Sequence, residues 1–195
     1  MGRIPRNSLL YDGCYAHIIS RSIEKRRVFE NGRDFQFFKQ LVLKGKAEHG
    51  FLVYHYCLMH THYHMAVRIG SVGEFSIGMN RIKWDYTREY NRRHKRRGPL
   101  WQNRYKSLLI EDEGYLHACG VYIENNPIRA GLVKDAVEWE YSSGRHYANM
   151  IIDPLIDSYD VRDIPQGLDF RDGLEFERGS GIGSDWFKYK VRRLG

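Results

Sequence analysis

Hydrophobic and polar residues follow two different periods along the first two thirds of the chain. Alternation with a period of two, or a short continuous apolar run, predicts four β-strands, at residues 13–20, 51–59, 62–69 and 105–110. Apolar side chains that recur every three or four positions predict three helices, from the Asn31-Gly32 turn to Gly50, from 74 to 94, and from 112 to 125. Asp112 can cap the third helix, and Pro127 is expected to end it.

The predicted elements follow one another in the order β-α-β-β-α-β-α. His60 and Thr61 leave room only for a tight connection between the second and third strands. This order is that of an α+β protein with a ferredoxin-like (split βαβ) antiparallel sheet, followed by one added helix. The periodic pattern weakens after about residue 147. We therefore predict a domain over residues 1–147 and a partly irregular C-terminal extension over 148–195, to which the sequence assigns no role.

The third strand carries the first candidate chemistry. Its alternation places Tyr63 in the apolar set and puts His62 and His64 together on the opposite face. Residues i and i+2 of a strand lie roughly 6.5 Å apart on one face, close enough to share a metal ion. Two half-exposed histidines on a sheet face would give the same pattern, so the spacing alone leaves both interpretations open. His60 lies on the same register at the turn.

The added helix carries the second candidate pair, Tyr122 and Asn126. Positions i and i+4 share one face of a helix, so a phenol and an amide oxygen would line up there. A packing tyrosine and a helix-ending asparagine are the simpler interpretation. If this helix crosses the sheet over His62 and His64, however, the four side chains form a divalent-metal site beside a nucleophile. Such a site could polarise a phosphodiester while the tyrosine attacks phosphorus.

Composition and charge narrow the class of protein. The chain has 195 residues with a formal net charge of +7, and 14% of its residues are aromatic, which favours a folded core over disorder. It has no apolar run long enough to span a membrane and no recognisable secretory signal. Three cysteines without a CxxC pair argue against a disulfide framework, so we expect a cytoplasmic protein.

The positive charge is concentrated in one segment. Residues 88–106 contain eight Lys or Arg and a single acid, so they carry as much net charge as the whole chain. A basic segment with interspersed aromatic residues is typical of a surface that binds a phosphate backbone, although a solvated loop would show the same charges. The candidate DNA-binding residues are Arg92, Arg93, Lys95, Arg96, Arg97, Trp101, Arg104 and Lys106.

Several blocks of the sequence resemble the HUH single-tyrosine transposases, and most closely the REP-associated tyrosine transposases and related insertion-sequence enzymes. The blocks are YCLMHTHYHMAV, LWQNRYKS and YIENNPIRAGLV, preceded by AHIISRS and a D-x-x-x-F pattern in the first helix. They occur in the order expected of the family, and the resemblance extends from about residue 11 to 147.

The resemblance implies a metal-dependent endonuclease and strand transferase that acts on single-stranded DNA near palindromes or hairpins. It implies Tyr122 as the nucleophile, His62 and His64 as ligands of Mg²⁺ or Mn²⁺, and Asn126 as a third, amide ligand. Cleavage would leave a 5′-phosphotyrosine and a free 3′-OH. Arg21 and Arg129 are weaker candidates for DNA contact.

The sequence departs from the family pattern without losing a reacting group. His60-Thr61 stands where relatives have Pro-Asn, Tyr63 where they have an aliphatic residue, and Arg21-Ser22 where they have Arg-Gly. Two other functions remain open. One is a domesticated hairpin-DNA or RNA binder that no longer cuts, and the other is a structural metal protein that uses His60, His62 and His64.

Two further features stay open at this level. The sequence shows no decisive seam for a dimer, so a monomer and a homodimer are both compatible with it. Residues 153–177 contain eight acids and two arginines. From charge alone, this acidic run could fold against the basic segment and compete with DNA.

Overall fold

A four-stranded antiparallel sheet organises the protein. The computed structural model describes residues 10–110, 113–158, 175–178 and 187–190. The strands are β1 (Tyr15–Arg21), β2 (Phe51–Met59), β3 (His62–Ile69) and β4 (Lys106–Ile110), in the spatial order β2-β3-β1-β4. The two central strands, β3 and β1, are therefore distant in sequence. The ferredoxin-like α+β architecture predicted from the order of elements is confirmed.

Five helices accompany the sheet in the part of the chain that is described. They are α1 (Gly32–His49), α2 (Val72–Arg93), α3 (Glu113–Glu124), α4 (Asn126–Arg129) and α5 (Gly144–Tyr147), with 3-10 turns at 23–25 and 136–138. Asn31 and Asp34 cap α1 reciprocally, and Gly50 ends it in a left-handed conformation (φ 62°). The predicted cap of α3, Asp112, lies outside the described residues. No described helix has the length and apolarity needed to cross a membrane.

The two faces of the sheet bury different sets of side chains. On one face, Tyr63, Met65, Val67 and Ile69 of β3 join apolar residues of α1 and α2 in the larger hydrophobic core. On the other face, α3 packs through Leu116, Cys119 and Ile123 in a smaller cluster. The period-two pattern of β3 predicts this division correctly. The histidines of β3 consequently lie on the face that α3 covers.

The end of β2 near α3 contains an irregularity in strand pairing. The register between β2 and β3 shifts between Val53 and His55, which is a β-bulge. As a result, Tyr54 belongs to the cluster beneath α3, and the neighbouring His55 also contacts that helix. Both side chains therefore support α3, which strict alternation would not allow.

Residues after the predicted domain boundary at 147 continue to pack against the sheet and α1. Leu155 is in the larger core, Asp153 is buried and pairs with Lys39, and Asp157 pairs with Lys46. These two acids thus contact α1 and not the basic segment. Residues 159–174, in which most of the acidic run falls, lie outside the described residues. Farther on, β5 (Glu175–Arg178) and β6 (Phe187–Lys190) form a two-stranded antiparallel sheet.

Candidate active site

His62 and His64 lie next to each other on the α3 face of the sheet. Their ring centroids are 5.1 Å apart, with the ring planes at 77°. His64 is buried, whereas His62 is half-buried at the start of β3. The Nδ1 atom of His62 shares a hydrogen bond with the Thr61 hydroxyl at 2.9 Å. The sequence prediction that these histidines share a face is confirmed.

A third histidine, His17 on β1, belongs to the same cluster. It is fully buried, and its Nε2 atom lies 2.9 Å from Nδ1 of His64. In the pairing of β1 with β3, Ile19 faces His64 and His17 faces Ala66, so His17 reaches His64 diagonally across the strands. The sequence analysis did not include His17 in the site.

Burial favours the neutral form of all three imidazoles. It lowers the pKa of His17 to about 3. Burial, together with the positive charge of Arg21, lowers the pKa of His62 to about 4. The pKa of His64 is also well below its ordinary value because of burial, the two neighbouring histidines and Arg21. Neutral imidazole is the form that binds metal ions.

Tyr122 lies over these histidines from α3. Its ring centroid is 6.2 Å from that of His64 and 6.1 Å from that of His17, both in edge-on geometry. The guanidinium carbon of Arg129 lies 4.5 Å from the centre of the tyrosine ring. Burial raises the pKa of the Tyr122 phenol, and the charges of Arg129 and Arg21 oppose that rise. The phenol therefore has two cations nearby that favour its ionised form.

Asn126 lies close to Tyr122, although not on the same helix. The sequence predicted one continuous helix to about Asn125, but α3 ends at Glu124 and Asn126 begins α4, whose second residue is Pro127. The Asn126 amide nitrogen donates to the backbone carbonyls of Tyr122 (3.0 Å) and Ile123 (3.1 Å). Asn126 thus satisfies the last carbonyls of α3, and its Oδ1 is the amide atom suited to a metal.

The remaining histidine of the motif, His60, has other partners. Its ring bonds to the carbonyl of Phe29 through Nδ1 at 2.8 Å and to the guanidinium of Arg27. The same ring packs edge-on against Phe35 and Trp139. Among the described residues, no cluster of three or more His, Cys, Asp and Glu side chains has a metal-holding arrangement. The alternative of a metal site formed by His60, His62 and His64 is therefore wrong.

The adjacent rings of His62 and His64, together with the amide of Asn126, offer donor types that fit a divalent ion with mixed ligands. In both His62 and His64 the Nδ1 atom already has a hydrogen-bond partner, so Nε2 is the ring nitrogen left for a metal. The amide oxygen of Asn126 would add an oxygen ligand. Two imidazoles and one amide suit Mn²⁺ better than Mg²⁺, which prefers an all-oxygen shell.

A buried polar cluster fixes α3 to the sheet. Glu124, in the last turn of α3, accepts hydrogen bonds from His55 at 2.8 Å and from the Ser143 hydroxyl at 2.6 Å. A side chain on Gly120, one turn earlier, would collide with the ring of His55, so only glycine permits this close approach. Sequence reasoning missed these residues, since nothing local connects a histidine on β2 with a glutamate 69 positions later.

The structure divides the candidate DNA-binding residues into exposed and internally bonded groups. The exposed members are Arg92, Lys95, Arg97, Arg104 and Lys106. Arg93 instead forms ion pairs with the buried Asp34 and with Glu89. Arg96 bonds to the Asn91 side chain and to the Pro99 carbonyl, and so closes the loop after α2. Arg92 is exposed but also pairs with Glu89.

Lys106 and Arg21 lie on the histidine face of the sheet, whereas Trp101 lies in the core on the other face. In the sheet, Lys106 of β4 lies opposite Ile19 of β1, and Ile19 lies opposite His64 of β3. Lys106 is therefore on the same face of the sheet as His64, two strands away. Trp101, by contrast, is 9% exposed and packs against Tyr63 and Phe29 in the larger core. Trp101 is therefore a core residue, and its prediction as a surface contact to DNA is wrong. Arg21 is exposed at the end of β1 and lies opposite His62 in the strand pairing, so it borders the site.

Comparison with known proteins identifies the family. A family model described as "Transposase IS200 like" matches residues 10–126. A curated Haemophilus influenzae protein named "Putative REP-associated tyrosine transposase" is 28% identical over 97 residues. That match covers 45% of this chain and 55% of the relative, so it spans about half the length of that protein.

A solved structure has the same fold. It is described as a REP-associated tyrosine transposase bound to a REP hairpin. The similarity covers 84% of this chain and 95% of that one, with a TM-score of 0.62 and 18% sequence identity. At this identity the similarity shows that the two proteins share an architecture.

Proposed function

The chain belongs to the family of IS200-like transposases, and on this premise we propose that it cleaves and rejoins single-stranded DNA at hairpins through Tyr122. The observation that carries the proposal is the edge-on contact of the Tyr122 ring with the rings of His64 and His17, with the guanidinium of Arg129 over the same tyrosine ring. The proposed nucleophile, the candidate metal ligand His64 and a cation thus lie together on one face of the sheet.

The proposed reaction is a transesterification. The phenol oxygen of Tyr122 gives up its proton and forms a bond to phosphorus, while the bond from phosphorus to the 3′ oxygen breaks. The 3′ oxygen takes up a proton and leaves as a free hydroxyl. The 5′ side of the DNA remains attached as a phosphotyrosine diester. Because one ester replaces another, a second 3′-OH can reverse the reaction and join a new end.

The side chains around Tyr122 suit the charges that develop in this reaction. Arg129 and Arg21 favour the phenolate and would also attract the phosphate. Mg²⁺ or Mn²⁺, held by His62, His64 and Asn126, would polarise a non-bridging phosphate oxygen. Lys106, on the same face, and the exposed arginines 97 and 104 would bind the flanking backbone. The name of the solved relative gives a REP hairpin as its ligand, which suggests hairpin DNA as the substrate here too.

A covalent-adduct assay tests the proposal. Single-stranded oligonucleotides that span palindromes flanking the native gene are incubated with the full chain and Mn²⁺, and then separated on denaturing gels. We expect a protein–DNA adduct with the wild type, none with Tyr122→Phe, and none with EDTA. Tyr115→Phe, in the first turns of the same helix, is the matched control and should retain the adduct.

The outcomes separate the candidate functions. An adduct of equal yield in Tyr122→Phe would contradict Tyr122 as the nucleophile. Hairpin binding without any adduct, over a panel of hairpins and metals, would favour the non-cutting binder. An adduct that persists in EDTA would contradict the metal requirement while leaving the tyrosine assignment intact.

A further inference from the structure

His17 is a buried polar side chain on the central strand β1 that the proposed reaction does not use directly. It is fully inaccessible to solvent, yet it bonds to the ring of His64 (Nε2 to Nδ1, 2.9 Å) and lies edge-on to Tyr122. A histidine that served only as core filling would not need to contact both a metal-ligand candidate and the candidate nucleophile. His17 is therefore positioned to influence both side chains.

The bond between the two rings contains one hydrogen, which can belong to either histidine. If His17 donates from Nε2, His64 accepts at Nδ1 and carries its own hydrogen on Nε2, which prevents that atom from binding metal. If His64 donates from Nδ1, its Nε2 has a free lone pair, and His17 carries its hydrogen on Nδ1. The two arrangements have identical heavy-atom positions but opposite consequences for a metal.

We propose that His17 is a positioning residue that accepts the hydrogen bond from Nδ1 of His64 and so holds His64 ready to bind metal through Nε2. The proposal rests on the proposed function, since it takes His64 to be a ligand. Metal-binding histidines commonly donate their other ring N–H to an acceptor in this way, which fixes both the tautomer and the ring orientation. The acceptor here is another imidazole instead of a carboxylate.

The neighbouring ligand shows the same arrangement. Nδ1 of His62 lies 2.9 Å from the Thr61 hydroxyl, an oxygen that can accept a hydrogen bond from the ring. Both imidazoles therefore have their Nδ1 atoms engaged within the protein, as binding through Nε2 requires. Because β1 and β3 pair directly over residues 15–21, the acceptor for His64 is held by the sheet itself and not by a loop.

Two substitutions separate the hydrogen bond from the volume of the side chain. His17→Phe keeps a planar ring of similar size but removes the acceptor. His17→Gln places an amide oxygen near the position of Nε2 and so retains an acceptor for His64. We expect His17→Phe to weaken Mn²⁺ binding by about 10- to 100-fold. We expect His17→Gln to bind Mn²⁺ more tightly than His17→Phe.

The experiment has two readouts on the full chain, neither of which is activity. Long-range ¹H–¹⁵N correlation spectra of the metal-free protein, near neutral pH, report which ring nitrogen of each histidine carries hydrogen. We expect Nδ1–H on both His17 and His64. Mn²⁺ titration followed by electron paramagnetic resonance then compares the wild type with the two variants, after circular dichroism has shown that each variant is folded.

Each result bears on a different statement. Two results would overturn the role of His17 while the proposed function stands. One is a hydrogen on Nε2 of His64 in the spectra. The other is an Mn²⁺ affinity of His17→Phe equal to that of the wild type. Failure of the wild type to bind Mn²⁺ would overturn the metal site of the proposed function and the role of His17 with it. If His17→Phe does not fold, His17→Gln and the spectra of the wild type still decide between the two arrangements.

Discussion

The guanidinium of Arg129 stacks on the ring of Tyr122, with its carbon atom 4.5 Å from the ring centre. Arg129 is on the short helix α4, and Tyr122 is on α3. The break between the two helices at Asn125 thus brings a cation back onto the residue that would become negatively charged. A single uninterrupted helix would have carried Arg129 almost two turns beyond Tyr122.

This stacking predicts that Arg129→Ala slows formation of the covalent adduct strongly. The loss should approach about 10²-fold, the effect of removing one preorganised charge-stabilising donor from an active site. Arg129→Lys keeps the charge, so its rate of adduct formation should fall less than that of Arg129→Ala. The measurement is the single-turnover rate of adduct formation at saturating DNA. Unchanged rates in Arg129→Ala would show that the cation packs on the tyrosine without assisting it.

The close contact between Gly120 and the ring of His55 predicts that a larger side chain at position 120 destabilises the packing of α3 on the sheet. In Gly120→Ala, the added methyl group meets the ring of His55, and we expect a loss of about 1–3 kcal/mol in the free energy of unfolding, typical of overpacking. Gly73→Ala is the matched control, because the nearest atom to a methyl group there is 3.8 Å away. Urea denaturation of both variants tests this, and equal stabilities would contradict the close contact.

Asp153 predicts a specific acid sensitivity. Burial alone would raise its pKa, but hydrogen bonds from Lys39 and Tyr56 dominate and hold the pKa below the ordinary 3.8. A carboxyl whose pKa is lower in the folded state stabilises the protein above the unfolded pKa. That contribution disappears as the pH falls through the folded pKa.

The corresponding variant is Asp153→Asn. At neutral pH we expect it to be less stable than the wild type by about 1–3 kcal/mol, because the ion pair with Lys39 is lost. Below pH 3.8 the two proteins should become more similar. Urea unfolding at several pH values gives the comparison, and a constant difference down to strongly acid pH would argue against a charged Asp153 in the folded protein.

Arg104 and Arg93 predict opposite phenotypes within the same basic segment. Arg104 is exposed, so Arg104→Gln should weaken DNA binding and reduce the salt dependence of the affinity by about one unit of slope, with little change in stability. Arg93 pairs with the fully buried Asp34, so Arg93→Gln should instead cost about 3 kcal/mol of folding free energy. Fluorescence anisotropy at several salt concentrations and urea unfolding measure the two effects. If Arg93→Gln folds normally but binds DNA poorly, the division between the two groups is wrong.

Local sequence patterns were sufficient for the parts of the fold that depend on periodicity. The alternation of β3 separated Tyr63 from His62 and His64, and burial confirms that Tyr63 faces the core. Asn31 and Gly50 marked the ends of α1 because capping chemistry depends on a few adjacent residues. The order of elements predicted the added helix but left open whether it covers the histidine face, and the structure places Tyr122 beside His64 on that face.

Features that depend on pairing between distant segments were not predictable in this way. His17 joins the site only because the register of β1 against β3 places it diagonally across from His64, and its own sequence neighbours do not indicate that register. Trp101 and Arg93 looked like surface residues because they stand in a charged run, but long-range packing with Tyr63 and Asp34 places them inside. Asp153 likewise packs with the domain because Lys39 and Tyr56 donate hydrogen bonds to its carboxylate.

The register that places Ile19 opposite His64 also determines which face of the sheet the histidines occupy in a misfolded protein. A slip of one residue between β1 and β3 would turn His64 into the apolar layer and bring Tyr63 to the opposite face. Such a copy would lack both the imidazole pair and its acceptor, and on the proposed function it could not cut DNA. On the proposed function, the correct register of β1 against β3 is therefore a condition for cleavage, and a copy with the wrong register would be inactive.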